Sequence, residues 1–354
     1  RQQSANHGNV LVEQQLCDVL LVSRDRPVGM EEEACDQREC GKRKGSQACS
    51  ESRNQGETAA DFDQDLLILF DAYVHGDIDR RSFLERARRF AVGGLTAAGL
   101  LATLSPNFAR AQVAPDAPGL RIERIAIDSP QGYGSLPGYL CRPAKASGPL
   151  PAVLVVHENR GLNPHIEDVT RRLALEGYLA LAPDIFWRFA PGVELDPDVP
   201  EQLQEAFGYF GQYDPDLGIQ DIEAAIHHIR RTEGVGKVGL VGYCLGGRMA
   251  YMAAARTDID ASVGYYGVMI DTMLNESHAI ANPLMLHIPT ADHFVGPEAQ
   301  AAIHAGLDNH PKVTLHDYQG LDHGFAAEMG DRRDEAGAQL ADARTREFLA
   351  ANLA

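Results

Sequence analysis

Positive charge is scarce in this chain: 32 Lys and Arg against 50 Asp and Glu leave a formal net charge of −18 over 354 residues. That balance argues against a nucleic-acid partner and against an anionic membrane surface, both of which reward clustered cations. No basic stripe with interleaved aromatics interrupts it. Cysteine is sparse where it would count. Of six, Cys17, Cys35, Cys40 and Cys49 fall upstream of the patterned region, only Cys141 and Cys244 fall inside it, and no two form a CxxC pair. A zinc framework is therefore not expected, and the 17/35/40/49 spacing of the upstream cysteines fits no common metal-ligand pattern. His157-Glu158 opens like a zincin motif but has Gly161 where the second histidine belongs. No apolar run reaches the roughly 20 residues of a membrane span, and no repeat divides the chain. What remains, 44% apolar and 23% charged residues, describes a globular protein with ample length for a sizeable core.

Residues 1–60 carry no hydrophobic period and are rich in Gln, Glu, Ser and Gly; they are expected to be a disordered or non-native leader. Residues 61–111 look like an export segment. Arg80-Arg81 precede a mildly apolar Gly/Ala-rich run over 90–104, and Ala109-Arg110-Ala111 supplies a small-x-small cleavage site. Together these resemble a twin-arginine signal, which predicts an exported, periplasmic protein, or a cytoplasmic one if the signal is not used, with no membrane anchor after cleavage. From 112 onward, strand-like and helical runs alternate. Strands are predicted over 120–127, 136–142, 151–157, 178–183, 261–266, 284–289 and 313–318, with another running into 242; helices over 166–176, 201–213, 217–232, 297–309 and 332–353 lie between or after them. That alternation predicts an α/β fold with a mostly parallel sheet covered on both faces, in a single domain over 112–354.

The stretch Val238-Gly-Leu-Val-Gly-Tyr-Cys-Leu-Gly-Gly-Arg248 organises this region. An apolar strand runs into Gly-x-Cys-x-Gly-Gly and then into a small-residue helix, the pattern of a nucleophile elbow with cysteine in place of serine. The turn is tight, so the residues two before and two after the nucleophile must lack bulk; Gly242 and Gly246 meet that need. Cys244 is thereby set at a helix N-terminus, whose partial positive charge favours a thiolate. The bland alternative is a structural cysteine in a Gly-rich turn.

Two further positions decide between these. In an elbow fold the acid and the histidine follow the nucleophile in chain order, each after a later strand. Asp292 follows the 284–289 strand and His323 follows the 313–318 strand. His323 is placed to take the thiol proton, and Asp292 to fix its tautomer and steady the imidazolium. His293 and Asp322 are adjacent decoys. The backbone after the 151–157 strand and the residue after the nucleophile usually supply the two oxyanion N–H donors, which here are Asn159 and Leu245.

Gly-Tyr-Cys-Leu-Gly-Gly, Glu158 after the early strand, Asp-His-Phe-Val and Asp-His-Gly-Phe together resemble the dienelactone hydrolases (carboxymethylenebutenolidases). The intervals of 48 residues from Cys244 to Asp292 and 31 from there to His323 are similar to that family's, as are Ala-Pro-Asp-Ile-Phe-Trp-Arg at 182–188, the Pro191 to Pro197 loop and Val-Gly-Tyr-Tyr-Gly at 263–267. The likeness spans about 120–350. It implies an α/β-hydrolase fold without a cofactor, Cys244 as nucleophile, His323 as base, Asp292 as its partner, and Glu158 as a carboxylate that helps ionise the thiol when substrate binds. Two departures concern substrate. Arginines that bind the substrate carboxylate in the dienelactone-cleaving members are replaced by Ala327 and Leu203. Arg160, Arg188 and Arg248 are candidate substitutes, and Tyr243 and Phe325 complete the candidate substrate-binding residues.

These residues predict a lactone or activated-ester hydrolase acting on a small molecule through a thioester acyl-enzyme, as a monomer or homodimer. A cysteine peptidase of related fold and a non-catalytic binding protein that kept the elbow are the alternatives.

Overall fold

The computed structural model describes residues 69, 80–90, 113–146, 148–196, 199–232, 234–329 and 332–354, all within the compact unit Leu69–Ala354. The leader assigned to 1–60 lies outside them, as does most of the export segment. Of that segment the structure describes a short helix, α1 (Arg80–Ala87), in which Phe83 and Ala87 are fully buried. No described helix is long and apolar enough to cross a membrane.

The rest is an eight-stranded sheet in the order β1-β2-β4-β3-β5-β6-β7-β8. Its strands are β1 (Leu120–Ser129), β2 (Gly134–Pro143), β3 (Leu150–Val156), β4 (Leu179–Pro183), β5 (Val235–Tyr243), β6 (Ala261–Tyr265), β7 (Leu284–Pro289) and β8 (Val313–Tyr318). β1 pairs antiparallel with β2, and β2 antiparallel with β4. Every pairing from β4 through β3, β5, β6 and β7 to β8 is parallel. The sequence shows why. β4, β6 and β7 are buried along their whole length, as continuous apolar runs in a doubly covered sheet should be, whereas β1 alternates toward solvent at the edge.

Six helices follow in the domain: α2 (Pro164–Leu175), α3 (Pro200–Gln212), α4 (Pro215–Arg230), α5 (Leu245–Arg256), α6 (Pro297–Leu307) and α7 (Glu335–Leu353). Opposite sides of β5 show the two covered faces. A Cβ on Gly239 would press on Leu349 and Leu353 of α7, while one on Gly242, three residues on and so facing the other way, would strike Gly246 of α5. A 3-10 segment, Ile270–Ala279, is an element that hydrophobic periodicity did not reveal. The predicted α/β-hydrolase fold is the one observed, with β5 central and the carboxyl ends of β3, β5, β6, β7 and β8 along one edge.

Candidate active site

β5 passes into α5 through a single residue, Cys244, with φ 52° and ψ −108°. A non-glycine residue held there stores on the order of 1–3 kcal/mol and persists only where its surroundings over-determine it. They do so through backbone contact. A Cβ on Gly242 would lie 1.9 Å from the Gly246 carbonyl oxygen, and one on Gly246 2.1 Å from that of Val156. The Cys244 N–H donates to the Tyr265 carbonyl at 3.0 Å. No side chain caps the start of α5, so its first-turn N–H groups keep their capacity to bind an anion.

Asp292 and His323 converge from the loops after β7 and β8. Asp292 is almost fully buried; its Oδ1 accepts from the N–H groups of Phe294 (2.8 Å) and Val295 (3.0 Å), which locks the carboxylate and turns Oδ2 to His323 Nδ1 at 2.9 Å. An ionised Asp292 accepts, so Nδ1 carries the proton. His323 Nε2 is buried with no hydrogen-bond partner among the described residues. Burial opposes charge on this imidazole, yet the negative charge of Cys244 and the Asp292 carboxylate outweigh it and push its pKa up to about 10. Phe294 and Tyr266 wall the ring, with centroids 4.8 and 4.9 Å away. The decoys satisfy each other: His293 Nδ1 meets Asp322 Oδ1 at 2.7 Å, both well exposed.

The third contribution comes from the turn after β3. His157 is fully buried, and its Nε2 accepts the Ile185 N–H at 3.1 Å. Its Nδ1 must then be protonated and donates to the Glu158 carbonyl at 2.7 Å. This residue therefore ties the β3 and β4 loops together and is no metal ligand. Glu158 and Asn159 follow, both half-buried, and Arg160 is buried. Arg160 Nη1 reaches the Asp196 carbonyl at 3.3 Å. Burial lowers its proton affinity, Glu158 is the foremost group opposing that, and Cys244 also acts on it. Among the charges acting on Arg160 is thus that of Cys244.

The structure takes the other two elsewhere. Arg188 is bound to Asp221, Nη2 to Oδ1 at 2.7 Å and Nε to Oδ2 at 3.1 Å. That carboxylate also accepts from Ser129 (2.5 Å) and Trp187 (3.0 Å), so Arg188 belongs to a buried clamp on the β1–β2 turn. Arg248 points Nη1 at the Met269 sulfur, 3.4 Å away, and burial lowers its proton affinity. Tyr243 packs on Tyr265 and His165, with centroids at 4.8 and 5.6 Å; Phe325, fully buried, packs on Tyr318 at 4.7 Å. Both rings support the site from behind. Leu245 is fully buried at the head of α5. Cys141, the other described cysteine, is also free, and burial pushes its thiol up to about 12. Among the described residues no group of three or more His, Cys, Asp or Glu side chains is arranged to hold a metal ion.

A cysteine on a strained strand-to-helix turn, with a buried His–Asp pair from the loops after β7 and β8, defines an α/β-hydrolase-fold enzyme. The model of the dienelactone hydrolase family matches residues 136–353, and the chain belongs to that family. A YqhI-like model matches residues 54–93, overlapping the assigned export segment. The chain is 36% identical over 227 residues to carboxymethylenebutenolidase 1 of Cupriavidus pinatubonensis, covering 64% of this chain and 95% of that one. It is also 36% identical over 231 residues to the carboxymethylenebutenolidase of Pseudomonas putida, covering 64% and 96%. A solved structure of a protein assigned as a dienelactone hydrolase from Klebsiella pneumoniae subsp. pneumoniae superposes with a TM-score of 0.58 at 25% identity, over 65% of this chain and 98% of that one. The protein is accordingly a hydrolase of the lactone and carboxylic-ester type.

Proposed function

We propose that Cys244, His323 and Asp292 carry out this hydrolysis through a thioester acyl-enzyme. Cys244 gives its proton to His323, and its sulfur attacks the carbonyl carbon of a lactone or activated ester. Backbone N–H groups of Asn159 and Leu245 receive the negative charge that develops on oxygen. The alkoxide or enolate leaves, taking the proton from His323, and the acyl group stays on sulfur. Water then attacks the thioester, giving its proton to His323, and the thiol group is regenerated with release of the acid. Asp292 holds the imidazole in its tautomer throughout, and Glu158 helps draw the proton from the thiol when substrate arrives. The observation that carries this reading is the buried His323: Nδ1 on Asp292 at 2.9 Å, Nε2 without a hydrogen-bond partner among the described residues, and Cys244 as the foremost charge favouring its protonation.

Substrates with good leaving groups suit this thiol. Since Ala327 and Leu203 carry no charge, and Glu158 already offsets the charge of the Arg160 guanidinium, the preferred substrates are neutral lactones and esters. The segment 61–111 is proposed to direct export, on the strength of Arg80-Arg81, the apolar run behind them and the small-x-small site at 109–111. The decisive experiment is a lactone and p-nitrophenyl ester panel with wild type beside Cys244→Ala. Turnover is expected to fall to background in a variant that stays folded. Retained turnover in a folded C244A protein would assign the chemistry elsewhere.

A further inference from the structure

Tyr266 has no part in that scheme, yet its placement is the least explained in the site. It follows β6 with φ 39°, in the left-handed region that bulky residues avoid. Both flanks hold it there. Its N–H donates to the His287 carbonyl at 2.9 Å, while the preceding Tyr265 carbonyl accepts the Cys244 N–H at 3.0 Å. Close to these, the first turn of α5 presses on the 265–267 backbone, where a Cβ on Gly247 would come within 2.7 Å of the Tyr265 oxygen and 2.8 Å of Gly267 Cα. The turn that presents Tyr266 is thus wedged against the elbow that presents Cys244.

The side chain is equally unusual. Its ring lies 4.9 Å from His323, and its hydroxyl oxygen is buried without a hydrogen-bond partner among the described residues. Two other buried tyrosines are satisfied, Tyr265 by Asp342 (3.0 Å) and Thr345 (2.7 Å), Tyr251 by the Met273 carbonyl (3.0 Å). An unpaired buried hydroxyl costs about 1–3 kcal/mol, and backbone strain adds a similar amount. Two penalties at one residue, against the His323 ring, mark a group kept for a partner that arrives with substrate. Burial, then the charges of Glu158, Tyr243 and Cys244, hold its pKa well above the ordinary tyrosine value, so it remains an O–H donor.

We propose that Tyr266 is a further catalytic residue, whose hydroxyl donates a hydrogen bond to the substrate oxygen that gains negative charge when Cys244 attacks. The inference rests on the thiol-hydrolase reading above. No proton is transferred; the phenol stays protonated and adds a side-chain donor to the two backbone ones. The test is Tyr266→Phe, assayed on the ester that wild type turns over in a Cys244-dependent way. We expect kcat to fall about 10²-fold, the scale of one oxyanion donor, with KM within about twofold. A trifluoromethyl ketone that adds reversibly to Cys244 should weaken by a similar factor. The melting temperature should match or exceed wild type, because the change deletes an unsatisfied group. A kcat within threefold of wild type, or a melting temperature several degrees lower, would overturn the proposal, the second because the hydroxyl would then serve the fold. Absence of Cys244-dependent turnover in wild type would instead overturn the thiol-hydrolase reading, and this inference with it.

Discussion

Removing the Cys244 sulfur should change the chemistry of a residue 79 positions away in the chain, His323. In the wild type this imidazole is driven up to about 10 from the ordinary 6.5. At about 1.4 kcal/mol per pH unit, that difference is on the order of 5 kcal/mol in favour of the imidazolium, set by its surroundings. Burial acts in the opposite sense and is the largest influence, so the protonated state depends on Cys244 first and Asp292 second. In C244A the first support disappears while the desolvation remains. His323 should then lose its proton several pH units earlier, with only Asp292 left to oppose burial. Nuclear magnetic resonance of the imidazole protons between pH 5 and 11 reads this directly. Stability follows the same sign. A histidine whose folded-state pKa lies above its unfolded value stabilises fully below about 6.5 and loses that contribution as pH rises through about 10. Wild type should accordingly lose unfolding free energy between pH 7 and 10, and C244A should lose much less. The loss will fall short of 5 kcal/mol, because sequestering both charges costs several kcal/mol of hydration. Identical His323 titrations in the two proteins would show that the sulfur is not the charge that governs it.

Substrate charge offers a second check: the specificity constant for dienelactone should lie below that for neutral lactones of similar size. A substrate carboxylate desolvated without a cationic partner costs on the order of a few kcal/mol, and a dienelactone value well above the neutral ones would refute the assignment. Iodoacetamide at neutral pH should label Cys244 before Cys141, whose thiol burial pushes up to about 12, as peptide mapping after brief exposure would reveal. Mass spectrometry of the exported protein should find a chain beginning near Gln112 with two free thiols; an intact Arg80-Arg81 segment, or a mass two protons short, would contradict that.

Much of this was legible because the elbow imposes local rules. Gly242 and Gly246 are required by contacts within a few residues or with the adjacent strand, so their spacing is written in the chain. Asp292 and His323 were locatable because the topology puts each at a strand end in chain order. Other features depend on distant partners. Nothing near Arg188 announces Asp221, which lies 33 residues on and draws four donors from three side chains. Arg160 and Arg248 look alike as residue types, and only packing shows that one lies near the nucleophile and the other beside Met269. Phe325 follows the catalytic-type histidine by two positions, yet is fully buried, because the loop turns it inward onto Tyr318. The insertion of β4 between β2 and β3 is likewise silent in periodicity, since a buried strand reads the same wherever it pairs. The strain at Tyr266 was also hidden: the Gly-Tyr-Tyr-Gly run is visible in the chain, but a positive φ at the second tyrosine is imposed by α5 and by His287.

The contact between Gly246 and the Val156 carbonyl has a consequence for how such an enzyme diversifies. It joins the head of α5 to the last residue of β3, the two places from which Leu245 and Asn159 are proposed to offer their N–H groups. The gap between those donors is therefore gauged by main chain against main chain, with no side chain as spacer. Changes in the residues lining the pocket leave that gauge untouched, so one acyl group can be traded for another while the chemical step stays in register. Gly246 itself cannot drift: a single methyl group there would meet the Val156 carbonyl and spread the two walls of the site apart.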